Sequence, residues 1–253
     1  MMQQTEFGPA GAYIRWTESQ GAGPARVHVH GLGAASGPYT AHLSAYGELA
    51  GRRTLYVDLP GFGISDRPAD FGYGLEDHAG ALAAVLDAAG VRGAEVVGHS
   101  MGGSVAIVLA YRRPELVSRL VLAEANLDPG PLSGAASSGI AGWPEEEFVH
   151  GGGFAATLEK VGWLWRSTMR LADPLALHRS ACGLLRGTDP TMRAMLTGLD
   201  IPRTYLVGDA GDDIAGLDGV AASGVRVVRV PDSGHCIMFD NPRAYAAAIA
   251  DGA

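Results

Sequence analysis

The chain has 253 residues, of which 47% are hydrophobic and 18% are charged, and its formal net charge is −8. This length and apolar content are enough to bury a large core in one α/β domain or two small ones. An acidic balance without a run of Lys or Arg disfavours nucleic acids and anionic membrane surfaces as partners. No run of apolar residues is long enough to predict a membrane span.

The N-terminus and the cysteines bear on the cellular compartment. The opening stretch, MMQQTEFGPAGAY, lacks the basic start and the apolar stretch of a signal peptide. Cys182 and Cys236 lie far apart in the sequence, without the CxxC spacing of a zinc site or the density of a disulfide framework. We therefore expect a cytoplasmic protein.

Short apolar runs alternate with helical patterns along the chain. This alternation is typical of an α/β protein, in which a mostly parallel sheet carries helices on both faces. An early pair of strands is predicted within 5–18. Further strands are predicted at 26–30, 54–59, 94–98, 120–124, 204–208 and 226–231.

Three helices are predicted from apolar spacing and from their end signals. One begins near Leu75, repeats apolar residues on one face and ends at Gly90. A second begins near Met101 and stops before Pro114. The pair Asn-Pro at 241–242 supplies a capping side chain and a first-turn proline for the final helix.

The stretch 129–199 interrupts this alternation. It begins rich in Gly, Ser and Pro and then shows irregular helical patterns, and it contains three of the four tryptophans. We therefore predict a sheet-bearing core formed by 1–128 and 200–253, with 129–199 inserted as a helical cap or lid. The aromatic and methionine side chains of this insertion either line an apolar pocket or form the core of the cap itself.

A Gly-x-Ser-x-Gly pattern lies at 98–102, within the segment GHSMGG. The pattern is common by chance, but here a predicted strand precedes it and a predicted helix follows it. Such a turn strains the backbone at Ser100, and side chains at Gly98 or Gly102 would crowd the neighbouring strand or helix. The helix N-terminus also favours a developing anion. The alternative is a glycine-rich turn with an incidental serine.

A second glycine turn, HGLG at 30–33, follows the predicted strand 26–30. A dinucleotide-binding turn is disfavoured because Ser36 stands where the third glycine belongs and because the turn does not open the first βαβ unit. A zinc cluster beginning at His28 and His30 is also disfavoured, since no Asp-His pair follows at a suitable spacing.

Taken together, these segments resemble the α/β-hydrolase superfamily. HGLG at 30–33, DLPGFGISD at 58–66, GHSMGG at 98–103 and SGH at 233–235 follow that family's order. The resemblance implies the α/β-hydrolase fold with a helical cap/lid insertion, a nucleophile at Ser100 and a catalytic base at His235. It also implies that the backbone N–H groups of Leu32 and Met101 form the oxyanion hole.

The acid of the expected triad has more than one candidate. Many family members carry an aspartate after the strand 204–208, but here Gly211 stands at that position and Asp212 is displaced by one residue. A variant branch resembling haloalkane dehalogenases has its acid at the end of the preceding strand, which is Glu124 here. A carboxylate buried there needs a charged partner, which an imidazolium would supply. We favour Glu124 over Asp212, with Asp128 as a third candidate.

These residues predict a serine hydrolase that cleaves a carboxylic ester of an apolar or aromatic small molecule through an acyl-enzyme on Ser100. No metal or organic cofactor is needed. The aspartate nucleophile of dehalogenases and epoxide hydrolases is disfavoured by this serine. The alternatives are a thioesterase, a carbon–carbon bond hydrolase acting on a diketone-like acid, a cofactor-free perhydrolase, and a ligand-binding or receptor protein of the same fold. The sequence predicts no oligomeric state.

Overall fold

The computed structural model of the chain describes residues 1–8, 11–130, 136–211 and 214–251. Within these ranges eight strands form one sheet, in the order β1-β2-β4-β3-β5-β6-β7-β8. The strands are β1 Met2–Glu6, β2 Tyr13–Ser19, β3 Ala22–Val29, β4 Arg52–Asp58, β5 Ala94–His99, β6 Val117–Ala123, β7 Arg203–Gly208 and β8 Arg226–Val230.

The sheet is mostly parallel, as predicted. Strands β3 to β8 pair in parallel, whereas β1 and β2 form an antiparallel hairpin and β2 pairs antiparallel with β4. Every residue of the central strand β5 is buried, including the polar Glu95 and His99, so its sequence does not show the apolar/polar alternation of a strand with one solvent-exposed face. All the predicted strands are confirmed, with bounds that differ by a few residues.

Helices connect the strands. They are α1 Ser36–Thr40, α2 Leu75–Ala88, α3 Met101–Arg112, α4 Ala136–Ala141, α5 Glu145–Val149, α6 Gly153–Lys160, α7 Trp163–Met169, α8 Pro174–Arg186, α9 Met192–Gly198, α10 Leu217–Ala222, α11 Ile237–Asp240 and α12 Pro242–Ala250. The three helices expected from apolar spacing are α2, α3 and α12. Asn241 caps α12 by accepting a hydrogen bond from the Ala244 N–H at 3.1 Å. In the described part of the chain, none of the helices is both long and apolar enough to cross a membrane.

Apolar side chains cover both faces of the sheet. Leu120 and Leu122 of β6 pack into the cluster that includes α2 and α3, while Val121 packs into the cluster that includes α11 and α12. Successive side chains of a strand point to opposite faces, so each face of β6 contributes to a separate core layer. Helices therefore pack on both sides of the sheet, as expected of the α/β class.

The segment 58–66 is a rigid turn that leads out of β4. The Asp58 carboxylate accepts hydrogen bonds from the backbone N–H groups of Ser36, at 2.8 Å, and Ile64, at 3.1 Å. Gly63 has a φ of 52°, and a Cβ there would lie 2.0 Å from Asp58 Oδ2. The turn thus requires glycine at 63, and it ties the start of α1 to the end of β4.

Helices α4 to α9 lie between β6 and β7. His78 of α2 and Ser180 of α8 form a buried side-chain hydrogen bond of 2.9 Å, which docks this helical segment on the sheet-bearing part. Phe148 and Met169 are fully buried in the same apolar cluster as α2, whereas the Trp163 side chain is 80% exposed. Several of the aromatic and methionine residues of 129–199 are therefore core residues. The boundaries of a cap at 129 and 199 stay a prediction.

Candidate active site

Ser100 occupies the turn between β5 and α3. Its φ of 52° and ψ of −124° are unfavourable for a residue with a side chain. The turn is held in this conformation by the Ser100 N–H, which donates to the Ala123 carbonyl of β6 at 2.8 Å. Met101 is the first residue of α3, so its N–H is one of the donors that the helix leaves free.

Three glycines let the strand, the turn and the helix approach one another closely. A Cβ at Gly98 would lie 2.6 Å from the Gly102 carbonyl oxygen, and one at Gly102 would lie 2.4 Å from the His30 carbonyl oxygen. A Cβ at Gly103 would lie 2.5 Å from the Cβ of Ala125. Since real Cβ atoms do not approach other atoms so closely, the GHSMGG segment is required by packing as well as by the turn.

The HGLG turn lies against the serine. A Cβ at Gly31 would lie 3.1 Å from Ser100 Cβ. The Gly31 carbonyl accepts hydrogen bonds from His30 Nδ1 at 2.7 Å and from the Ala34 N–H at 3.1 Å. Because this carbonyl and the Leu32 N–H belong to one planar peptide group, these two contacts also fix the direction of the Leu32 N–H.

The tautomer of His30 follows from its two partners. Nε2 lies 3.0 Å from the Leu59 backbone N–H, which can only donate, so Nε2 accepts and Nδ1 carries the proton. Burial lowers the pKa of His30, which keeps the ring neutral. Both ring nitrogens are thus engaged by the backbone. Within the described ranges, no group of three or more His, Cys, Asp or Glu side chains could hold a metal ion.

His235 lies in the loop between β8 and α11, at the carboxyl edge of the sheet. A Cβ at Gly208 would lie 2.3 Å from the Ser233 carbonyl oxygen, so the end of β7 packs directly on this loop. The His235 side chain is 55% exposed. Ser100 and His235 are both described residues, and no hydrogen bond joins the hydroxyl to the imidazole. Catalytic hydrogen bonds are often loose before substrate binds.

Glu124 follows β6 and is brought next to His235. Its Oε2 is 3.7 Å from His235 Nδ1, which is longer than a hydrogen bond but close enough for an ionic contact with a protonated ring. Its Oε1 accepts a hydrogen bond from the Gly208 N–H at 2.7 Å. Glu124 is 5% exposed and has a φ of 53°, so the backbone is strained at Glu124 as it is at Ser100.

The other two candidate acids differ from Glu124. Asp128 pairs with Arg193 of α9 through a 2.6 Å contact, and this contact directs its carboxylate to the helical segment. Asp212 lies outside the described residues. Of the two candidates that the structure describes, Glu124 is the one beside His235.

His99 is a site neighbour that sequence analysis missed. Its Nε2–H donates to the His235 carbonyl at 2.9 Å, and the two rings lie 4.9 Å apart. A Cβ at Gly31 would lie 3.0 Å from His99 Nδ1, so the ring fits between the HGLG turn and the His235 loop. Burial lowers the pKa of His99 to about 3 and keeps it neutral. No sequence pattern distinguishes it from other residues found between glycine and the serine.

Trp165 of α7 is a second neighbour that the sequence did not identify as part of the site. Its indole Nε1–H donates to the Leu32 carbonyl oxygen at 2.6 Å. A Cβ at Gly33 would lie 2.9 Å from this nitrogen and 3.1 Å from Met169 Cε. The helical segment therefore packs directly on the HGLG turn.

Comparison with known proteins relates these features to one family. Residues 27–148 match the family model described as the alpha/beta hydrolase fold. The 2-hydroxymuconate semialdehyde hydrolase of Pseudomonas putida is 39% identical over 113 residues, which are 45% of this chain and 40% of that protein. The sn-1-specific diacylglycerol lipase of Mus musculus is 37% identical over 101 residues, which are 40% of this chain and 32% of that protein. The chain thus matches two fifths or less of the length of these relatives.

Solved structures are similar over nearly the whole chain. An esterase from Exiguobacterium antarcticum has a TM-score of 0.77 and 20% identity, and the match covers 95% of each chain. A hydrolase from Pseudomonas aeruginosa has a TM-score of 0.76 and 25% identity, and the match covers 100% of this chain and 98% of that one. With the sheet order and the strained turn at Ser100, these likenesses establish that the chain has the α/β-hydrolase fold, and its residues 27–148 match the model of that family.

Proposed function

We propose that this protein is a serine hydrolase that cleaves a carboxylic ester of an apolar or aromatic small molecule through an acyl-enzyme on Ser100. The observation that carries the proposal is the approach of the HGLG turn to the strained Ser100, with the direction of the Leu32 N–H fixed by His30. Fixed N–H groups beside a nucleophile are what an acyl-transfer reaction needs, because negative charge develops on the carbonyl oxygen in the transition state.

In the first half-reaction, Ser100 Oγ attacks the carbonyl carbon of the ester while His235 accepts the hydroxyl proton. The N–H groups of Leu32 and Met101 stabilise the oxyanion of the tetrahedral intermediate. The C–O bond to the alcohol then breaks, and His235 gives its proton to the leaving oxygen. This step needs the exposed His235 ring to turn to Ser100 when substrate is bound.

In the second half-reaction, water attacks the acyl carbon and gives its proton to His235. The bond to Ser100 Oγ breaks, the proton passes from His235 to the serine, and the carboxylic acid leaves. One water is consumed for each ester cleaved, and no metal or organic cofactor takes part.

Glu124 holds His235 in orientation and stabilises its protonated form. One carboxylate oxygen is already engaged by the Gly208 N–H, which leaves the other to face the ring. A buried carboxylate near the base favours the imidazolium that forms in both half-reactions. The cytoplasmic location and the small-molecule partner expected from the sequence stay predictions.

A carbon–carbon bond hydrolase is the second candidate. It is supported by relatives named 2-hydroxymuconate semialdehyde hydrolase and 2-hydroxy-6-oxo-2,4-heptadienoate hydrolase, which are 38–42% identical over the matched parts. The diacylglycerol lipase and the esterase neighbours support ester cleavage instead. The family match ends at residue 148, so most of the helical segment that would meet the substrate lies beyond it.

Labelling with a fluorophosphonate probe tests the nucleophile. We expect the full chain to form a covalent adduct at Ser100, located by mass spectrometry, and the Ser100→Ala variant to form none. A ligand-binding protein of this fold without hydrolase activity would stay unlabelled, which would overturn the proposal.

Steady-state kinetics then separate the two candidates. p-Nitrophenyl esters of increasing acyl length are compared with a 2-hydroxy-6-oxo-dienoate substrate, and kcat/KM is measured for each. We expect a preference for the esters. A higher kcat/KM for the dienoate would favour carbon–carbon bond cleavage.

A further inference from the structure

The HGLG turn has hydrogen-bond partners from two parts of the chain. On one side, His30 and Ala34 hold the peptide group that contains the Leu32 N–H. On the other side, Trp165 donates to the carbonyl of the following peptide group at 2.6 Å. Leu32 is therefore held on both sides, through the peptide group before it and the peptide group after it. The φ and ψ angles of Leu32 are the only rotations between these two planar groups.

Trp165 belongs to the first turn of α7, and the nearby anchors of the helical segment follow this helix. The Arg67 side chain donates to the Leu171 carbonyl at 2.7 Å, and the Asp173 N–H donates to the Gly61 carbonyl at 2.9 Å. The hydrogen bond from the Trp165 indole lies at the beginning of α7, whereas the Leu171 and Asp173 contacts follow its end. Loss of the indole hydrogen bond would therefore free the beginning of α7 while the other two contacts stay in place.

The neighbouring tryptophan has a different environment. Trp163 is 80% exposed, whereas Trp165 packs with the apolar cluster that contains Met169. Gly33 has a φ of 68° and lies in contact range of Trp165, so the turn has no side chain that would hold the indole away. One tryptophan of α7 thus contacts the HGLG turn, while the other faces solvent.

We propose that Trp165 is a positioning residue that acts together with the contacts of His30 and Ala34 to keep the Leu32 N–H directed at the oxyanion, so that the oxyanion hole reaches its full strength only while α7 is docked. The inference rests on the proposed serine hydrolase function. Docking of α7 and activation of the substrate carbonyl would then be coupled. The coupling acts through the Leu32 backbone and involves no contact between the indole and the reacting atoms.

Replacing Trp165 by Phe keeps an aromatic ring but removes the N–H donor. We expect kcat with a p-nitrophenyl ester to fall about tenfold and KM to stay within twofold, since the neutral hydrogen bond that is lost orients Leu32, whose N–H acts in the transition state. Trp163→Phe is the matched control on the same helix, and it should leave kcat unchanged. Thermal melting of both variants checks that they fold.

An inhibitor that forms a tetrahedral adduct separates positioning from packing. An arylboronic acid adds to Ser100 and places an oxygen in the oxyanion hole. Its affinity for Trp165→Phe should fall by the same factor as kcat/KM. The carboxylic acid product, which forms no adduct, should bind both proteins equally.

Two results would overturn the inference. Equal kcat and equal boronic acid affinity in the Trp165 and Trp163 variants would show that the indole N–H has no role. A rise in KM alone, with boronic acid affinity unchanged, would make Trp165 a substrate contact. If the unaltered chain is neither labelled by a fluorophosphonate nor inhibited by the boronic acid, the serine hydrolase function fails first, and the inference fails with it.

Discussion

A Cβ at Gly211 would lie 3.5 Å from Oε1 of Glu124. Gly211 stands where many α/β-hydrolases carry the triad acid, and Glu124 reaches the same space from the neighbouring strand. The two positions are alternative sources for one carboxylate beside His235.

Glu124→Gln is expected to lower kcat by a factor of roughly 10² to 10⁴, because the amide cannot stabilise a protonated His235. The pairing of Glu124 Oε2 with Nδ1 is the physical basis. Ester hydrolysis at saturating substrate measures the effect. Asp212→Asn is the comparison, and a loss of equal size there with little loss at Glu124 would contradict the assignment.

Transferring the carboxylate from position 124 to position 211 tests whether the two positions can serve the same role beside His235. In the double variant Glu124→Ala with Gly211→Asp, we expect kcat to recover at least about tenfold relative to Glu124→Ala alone, since the new carboxylate enters the vacated volume. Gly211→Asp by itself should be less active than the unaltered chain because two carboxylates would then compete for one site. An inactive double variant with an unchanged melting temperature would show that a carboxylate after β7 cannot replace the one after β6.

The close packing around the glycines of the GHSMGG segment predicts that larger residues there lower the free energy of unfolding, independently of catalysis. Gly98→Ala should destabilise the fold by about 1–3 kcal/mol or more, because the new Cβ would meet backbone atoms at 2.6 Å that cannot move aside. Gly80→Ala in α2 is the control, where no atom lies within 4 Å and where alanine should stabilise by up to about 1 kcal/mol. Urea unfolding of both variants gives the comparison, and equal midpoints would refute the packing argument.

Much of the fold and part of the site follow from local sequence. The buried strand β5, the glycines around Ser100 and the Asn241 cap each act within a few residues, so their patterns predict the structure directly. The resemblance to haloalkane dehalogenases, together with the place of Glu124 at the end of a predicted strand, favours this residue as the acid, and the structure puts it beside His235. Its left-handed backbone has no signal in the sequence, because glutamate rarely adopts that conformation.

The contacts that sequence could not predict join distant parts of the chain. Trp165 and Leu32 are 133 residues apart, and the bond depends on how α7 packs on the HGLG turn. His99 and His235 are 136 residues apart and meet only because β5 and the loop after β8 end at the same edge of the sheet. Neither pair follows from hydrophobic periodicity, which predicts elements but not the angles at which they pack.

A buried ion cluster provides a further prediction. Glu95 is 2% exposed and contacts Arg26 at 2.5 Å, Arg52 at 3.1 Å and Arg119. Glu95→Gln should destabilise the protein by about 3–5 kcal/mol, because it leaves buried guanidinium groups without their counter-ion. Exposed Glu115→Gln should change the unfolding free energy little. If the two variants have the same stability by urea unfolding, the cluster is not a structural ion network.

Buried histidines predict how stability depends on pH. Burial lowers the pKa of His28, His78 and His99 to about 3 in the folded protein, from 6.5 for an ordinary histidine. Between these two values the unfolded chain binds protons that the folded chain does not. The stability contributed by the neutral rings is therefore complete above pH 6.5 and is lost as pH falls to about 3.

The slope of unfolding free energy against pH tests this directly. Each of the three rings contributes about 1.4 kcal/mol per pH unit near pH 5, so together they give about 4 kcal/mol per unit. Urea unfolding at intervals from pH 7 to pH 5 measures it, above the range in which ordinary carboxylates titrate. His78→Gln should reduce the slope by about 1.4 kcal/mol per pH unit near pH 5, whatever its effect on stability at pH 7. A flat dependence over this interval would mean that these histidines are protonated in the folded state or already neutral in the unfolded one.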